Sequence, residues 1–199
     1  MPPGRTVSTL RQPLQKQLLT AWKKSIERDY CNQRINSERS LQASFWSQLN
    51  AILDPNTRRM FVEPRFALKV NGDTKQRFPD FVICNSVHII AVVELKYLPR
   101  ALPAFDKDME TLELLAKHRA ELMVANSRFR GERRAAKEYP FSDSVLFVWA
   151  GVHRKPKVSY ESIDVPMLSR GIKELGGCFL QLHAETDLGH PPKVFSRFR

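Results

Sequence analysis

Cysteine is scarce in this chain of 199 residues, which carries only Cys31, Cys84 and Cys178. An odd number of widely spaced thiols forms neither a disulfide framework nor a C-x-x-C metal knuckle, and it fits a reducing, cytoplasmic compartment. The three read as inert core or surface thiols. No apolar run approaches the roughly 20 residues that cross a bilayer, so a membrane span is not expected. The N-terminus lacks the apolar stretch of a secretory signal. Residues 1–26 hold five basic residues and no acid, as a mitochondrial presequence would, but Pro2, Pro3 and Pro13 interrupt that pattern. They read as a basic arm over residues 1–12, with organelle targeting left open. P-loop, GxGxxG and GxSxG motifs are all missing, which leaves nucleotide hydrolysis and serine hydrolase chemistry without support. The five histidines share no ligand spacing and are assigned no metal role. With no repeat, low-complexity tract or linker visible, residues 1–199 are expected to form one domain.

What is abundant is positive charge. Lys and Arg total 32 against 21 Asp and Glu, a formal net charge of +11. Such a field favours polyanions through counterion release, and its spread over several segments argues against a membrane-surface helix. Nucleic acid is the first partner to consider. The chain is 42% hydrophobic and 10% aromatic, enough apolar surface to exclude wholesale disorder.

Periodicity divides the chain into elements. Leu14, Leu18, Trp22 and Ile26 recur at helical spacing after Pro13, a good first-turn residue, and predict a helix over roughly 13–30. Ser37 is a capable N-cap for a second helix with Leu41, Phe45, Leu49 and Ile52 on one face, stopped by Asp54-Pro55-Asn56. Met60–Val70 is β-rich, Asn71-Gly72-Asp73 supplies a turn, and Phe78–Cys84 reads as the next strand. Val87–Tyr97 is nearly continuous in β-branched residues, which indicates an interior strand covered on both faces. Beyond Pro99 and Pro103 the helical period returns through Phe105, Met109, Leu112, Leu115, Ala116 and Leu122. Ser144–Val152 is a fourth strand, a short helix covers about 167–175, and Cys178–His183 is a fifth strand. Residues 184–199, with Pro191 and Pro192, read as an irregular tail. The order predicts an α/β domain with a central mixed sheet flanked by helices and an extra helix at the N-terminus. Trp22 and Trp46 read as core residues rather than base-stacking platforms.

The chemically informative pattern is Pro79-Asp80, thirteen residues, then Glu94-Leu95-Lys96. Glu94 and Lys96 are two apart on a strand, so both leave the same face about 7 Å apart, with Ile90 and Val92 deeper on that face. The strand therefore runs from apolar to charged where a sheet core opens into a cleft. Two carboxylates held there repel each other unless a divalent cation joins them, and oxygen ligands of this kind suit Mg²⁺.

Asp80, Glu94 and Lys96 resemble the PD-(D/E)XK nuclease superfamily, whose members share the restriction-endonuclease-like fold. The resemblance spans roughly residues 36–150, is carried by RFPDFVICNSVHIIAVVELKY, and extends to Phe105-Asp106-Lys107-Asp108-Met109 at the next helix. It implies that Asp80 and Glu94, helped by the Leu95 carbonyl, hold Mg²⁺ or its substitute Mn²⁺. It further implies that Lys96 positions the attacking water or stabilises developing charge. An acid on the preceding helix completes such sites; Glu38 is the best match, and Gln42, one turn later, is the substitute. Asp106 and Asp108 read more simply as helix-start acids that complement the dipole.

Arg128, Arg130, Arg133, Arg134 and Lys137 form a basic cluster, and Arg154, Lys155 and Lys157 follow the fourth strand. Arg65, Lys69, Lys75 and Arg77 lie nearest the motif in sequence, and all are candidate phosphate contacts. The expected function is a Mg²⁺-dependent nuclease acting on DNA, with RNA and a homodimeric state both compatible with the chain. The alternative is a nuclease-fold subunit that binds DNA or assembles without cutting. Either way the site requires a register. A two-residue hairpin loop at Asn85-Ser86 would place Asp80 on the face away from Glu94, so a metal site demands a three-residue loop or a β-bulge that shifts one strand by one residue.

Overall fold

The computed structural model describes residues 7–70, 72–102, 106–130, 133–156 and 175–199. Two helices come first, α1 (Val7–Lys24), continued by a π-helical turn over Ser25–Tyr30, and α2 (Glu38–Asn50). α1 begins at Val7, inside the expected basic arm, so Pro13 stands within the helix rather than in its first turn. Its missing N–H is unfavourable there. Burial of Leu14, Leu18, Ala21 and Trp22, each at most 4% exposed, offsets that cost. α2 starts as expected: Ser37 Oγ accepts from the Ser40 amide at 3.2 Å, and Ser40 Oγ accepts from the Ser37 amide at 2.9 Å.

Strands β1 (Arg59–Val62), β2 (Phe66–Val70), β3 (Asp73–Arg77), β4 (Phe81–Cys84) and β5 (Ile89–Leu98) follow, then α3 (Asp106–Lys117) and β6 (Met123–Arg130). The chain continues into β7 (Arg133–Arg154), β8 (Phe179–Asp187) and β9 (His190–Phe198). The central sheet is mixed, with strand order β1-β4-β5-β7-β8-β9 and β6 paired to β7. β5, β7 and β8 run parallel to one another, while β4 on β5 and β9 on β8 are antiparallel. β2 and β3 form a separate hairpin. Its turn at Gly72 has φ +87°, open to glycine without steric cost.

Each face of the sheet carries its own core. α1 and α2 pack with Phe81, Val93, Leu95, Val148 and Leu182 on one face. α3 and β2 pack with Val82, Val92, Phe147, Trp149 and Phe179 on the other. β5 is fully buried from Ile89 to Leu95, as its β-branched sequence predicts.

Several expectations need correction. Residues 184–199 are not an irregular tail: β8 extends to Asp187, and β9 carries Pro191 and Pro192. β9 is an edge strand, and an edge tolerates prolines because one side of its backbone needs no ladder partner. The fourth strand is far longer than Ser144–Val152 and begins at Arg133. Asp73–Arg77 and Met123–Arg130 are strands without a clear alternating pattern in sequence. Trp22 is fully buried, but Trp46 is 37% exposed and is not a core residue. The helix expected at 167–175 lies, apart from Leu175, outside the described residues, as do Phe105 and Lys157. None of the described helices is long and apolar enough to cross a membrane.

Candidate active site

The register of β4 on β5 decides whether the motif converges. Phe81 pairs with Val93, Val82 with Val92 and Ile83 with Ala91, but Cys84 pairs with Ile89. Ile90 is therefore an extra residue in β5, a β-bulge of the kind the motif requires. Beyond it, the pairing extended one step places Asp80 opposite Glu94. Ile90 joins Ala91 and Val93 in the α1–α2 core, whereas Val92 packs on the α3 side. The bulge thus turns Val92, Glu94 and Lys96 toward α3.

Asp80 is held from two sides. Its Oδ2 accepts from the Leu95 amide at 2.6 Å, and its Oδ1 accepts from Gln42 Nε2 at 3.0 Å. Gln42 also reaches the Asp80 carbonyl at 3.4 Å. Glu38, in the first turn of α2, takes a different partner. Its Oε2 lies 3.8 Å from Lys96 Nζ and accepts from the Tyr97 amide at 3.3 Å. Glu38 and Gln42 are thus both used, the first on the lysine and the second on the aspartate.

Burial makes this cluster electrostatically tense. Glu94 is 8% exposed. Its burial, reinforced by Asp80 and Asp108 nearby, pushes its carboxyl up to about 9. Burial likewise raises Asp80 to about 6, against the pull of the Leu95 amide. Two facing carboxylates in such a place hold a proton between them or neutralise a cation, and that is the donor chemistry a hard divalent metal takes. Burial works to lower Lys96, but Asp108 and Glu38 outweigh it, so the ammonium is held above its ordinary value.

Asp108 is the residue whose place the sequence reading missed. It lies in the first turn of α3, as expected of a helix-start acid, yet it is 6% exposed and faces the sheet. One oxygen accepts from Lys96 Nζ at 3.3 Å, the other from Trp149 Nε1 at 3.2 Å. The available signal was its spacing: Asp108, Leu112 and Leu115 share one helical face. Trp149 is paired with Glu94 across β5 and β7. Its ring lies over Gly151, where a Cβ would run into the indole. The backbone of β7 is therefore bare at the point where the indole crosses it toward Asp108.

Glu38, Asp80, Glu94, Lys96 and Asp108 line a cleft of about 430 Å³, open between α3 and the end of β3, with Gln76, Arg77, Phe78 and Lys107 also on its walls. Of the expected phosphate contacts, Arg77 alone lines it among the described residues, and its guanidinium pairs with Glu110 of α3 at 2.7 Å. Lys69 and Lys75 stand exposed on the β2–β3 hairpin, and Arg65 is exposed before it. Arg128, Arg130, Arg133 and Arg134 have their backbone on the β6–β7 hairpin, with Arg130 opposite Arg133 and Phe129 opposite Arg134. Their side chains lie outside the described residues. Lys137 rests over the Tyr139 ring, its Nζ 5.4 Å from the centroid. Arg154 is exposed, and Lys155 pairs with Asp187 at 3.5 Å.

Two histidines meet where sequence spacing showed nothing. His153 Nε2 and His183 Nδ1 are 3.0 Å apart, both rings buried, and His183 stacks on Phe195. Burial keeps both below the ordinary imidazole value, His183 at about 3, so the pair is neutral packing. Among the described residues no group of three or more His, Cys, Asp or Glu is arranged to hold a metal ion. No family model matches the chain, and neither a curated protein nor a solved structure shows a significant match to it.

Proposed function

We propose that the protein is a metal-dependent nuclease of the PD-(D/E)XK type, with a restriction-endonuclease-like core, that hydrolyses DNA phosphodiester bonds. The observation that carries this reading is the bulge at Ile90, which brings Asp80 opposite Glu94 with Lys96 on the same face. The donor set fits Mg²⁺ or Mn²⁺: Asp80 and Glu94, with the Leu95 carbonyl, would hold it. Bound there, the metal supplies Lewis-acid neutralisation of the attacked phosphate and activation of water. Lys96 donates to the charge that develops on the phosphate, and Asp108 and Glu38 keep it protonated and aimed. Asp108 is a positioning residue, itself fixed by the Trp149 indole.

Purified protein incubated with supercoiled plasmid, linear duplex and single-stranded DNA should cut at least one substrate with Mg²⁺ or Mn²⁺ and none with EDTA. No cleavage under any metal would reject the proposal. The alternative, a nuclease-fold protein that binds DNA without cutting it, draws on one observation. Glu38 and Asp108 are both engaged with Lys96, which leaves two carboxylates for a metal.

Phosphate binding has its own test. If Arg133 and Arg134 contact the backbone of DNA, Arg133→Ala with Arg134→Ala should flatten the dependence of log K on log salt by about two units. Affinity should fall alike for every sequence. An unchanged slope, measured by anisotropy across a salt series, would leave this hairpin a solvated face.

A further inference from the structure

The cleft contains an aromatic residue that phosphodiester chemistry does not use. Phe78 is 52% exposed and lines the same walls as Asp80, Glu94 and Lys96. Sequence reading put it inside a strand, but it falls between β3 and β4, where its ring is not absorbed into either core. Its backbone is nonetheless pinned on both sides. Arg77 is tied to Glu110 of α3 at 2.7 Å, Pro79 is buried, and Asp80 is held by Leu95 and Gln42. A half-exposed aromatic on a backbone held this way loses little freedom when a ligand covers it. Among the described residues, Trp46 is the only other large exposed aromatic, and it does not line this cleft.

We propose that Phe78 is a nucleobase-stacking platform beside the reacting phosphate, and that the cleft takes a single nucleic-acid strand rather than an intact duplex. The cations beside it, Arg77 and Lys107, suit a phosphate on either side of a stacked base. Bases in a duplex have both faces covered by their neighbours, so a ring at the cleft mouth meets only a base that is already unstacked. The proposal rests on the cleft being a phosphodiester site, and it adds which form of nucleic acid enters.

The test is binding without metal, which needs no cleavage. Anisotropy in EDTA would compare a labelled oligothymidylate of about 20 nucleotides, longer than a typical single-strand site, with a duplex of equal length. Phe78→Ala should weaken the single strand by about 5- to 150-fold, the worth of one base–aromatic stack, and change the duplex less than about twofold. Phe78→Trp should keep wild-type affinity, and its added indole emission should be quenched by the single strand and not by the duplex. Equal losses on both substrates, or no loss on either, would overturn the proposal, as would unquenched emission from Phe78→Trp at saturation. A selective loss in a protein that never cuts with Mg²⁺ or Mn²⁺ would leave the platform standing and remove the nuclease.

Discussion

Lys96→Ala should slow cleavage by about 10²- to 10³-fold or more, the usual cost of removing one electrostatic stabiliser of a transition state. Affinity for DNA should barely change, because one lysine among 32 basic residues adds little to the counterion term. Single-turnover rates and metal-free binding, measured on the same preparation, separate the two. Asp80→Ala and Glu94→Ala should instead remove activity together with its dependence on metal, with partial rescue by excess Mn²⁺, which binds oxygen ligands somewhat more tightly. Asp108→Asn tests how the lysine is held. It keeps the shape and an acceptor for Trp149 but takes away the charge that, with Glu38, holds Lys96 above its ordinary value. The alkaline limb of the rate profile should then move to lower pH, a shift that a merely structural residue would not cause. Wild-type cutting by Lys96→Ala would withdraw the catalytic assignment and leave the resemblance as one of fold alone.

The second large effect is on stability without metal. Asp80 and Glu94 stand at about 6 and about 9 in the folded protein, against ordinary values of 3.8 and 4.5. The native state therefore binds more protons than the unfolded chain, and stability falls as pH rises through these values. His153 and His183 act the other way, since both sit below 6.5 when folded and the unfolded chain takes up their protons as pH falls. Below about pH 6 the two carboxylates and the two histidines largely offset each other, so in EDTA the melting temperature should change little there and decline as pH rises above about 6. From about pH 6.5 to pH 9, Glu94 alone contributes a loss on the order of 3 kcal/mol, or roughly 5–10 °C in a chain of this size. Mg²⁺ should restore most of that alkaline loss. A melting curve equally flat from pH 6 to 9 with and without Mg²⁺ would mean that the two carboxylates do not share a buried site.

How far the sequence foretold this arrangement depended on how local each signal was. Ser37 announces α2 because a cap is written in adjacent residues, and β5 announces its burial by β-branching. The need for a shift of one residue to bring Asp80 and Glu94 to the same face followed from side-chain alternation alone. The place of the extra residue did not, since Ile90 looks like any other aliphatic in VHIIAVV. The contacts of Asp108 escaped notice for a related reason. A first-turn acid satisfies the helix dipole wherever it points, and only the sheet packed beneath α3 decides that it meets Lys96 and Trp149. β3 and β9 escaped notice because a polar hairpin and a proline-bearing edge strand owe their pairing to neighbours distant in sequence.

Gly151 gives the site a silent point of failure. Nothing about a bare backbone position suggests chemistry, yet the indole that fixes Asp108 occupies the volume a methyl group would need. Trp149 is fully buried, so a displaced ring has to push into packed neighbours rather than into water. A descendant of this chain with a side chain at 151 would keep Asp80, Glu94, Lys96 and Asp108 letter for letter while losing the support on which the lysine rests. A side chain at 151 should therefore loosen the Asp108–Lys96 contact while every charged residue of the motif stays in place.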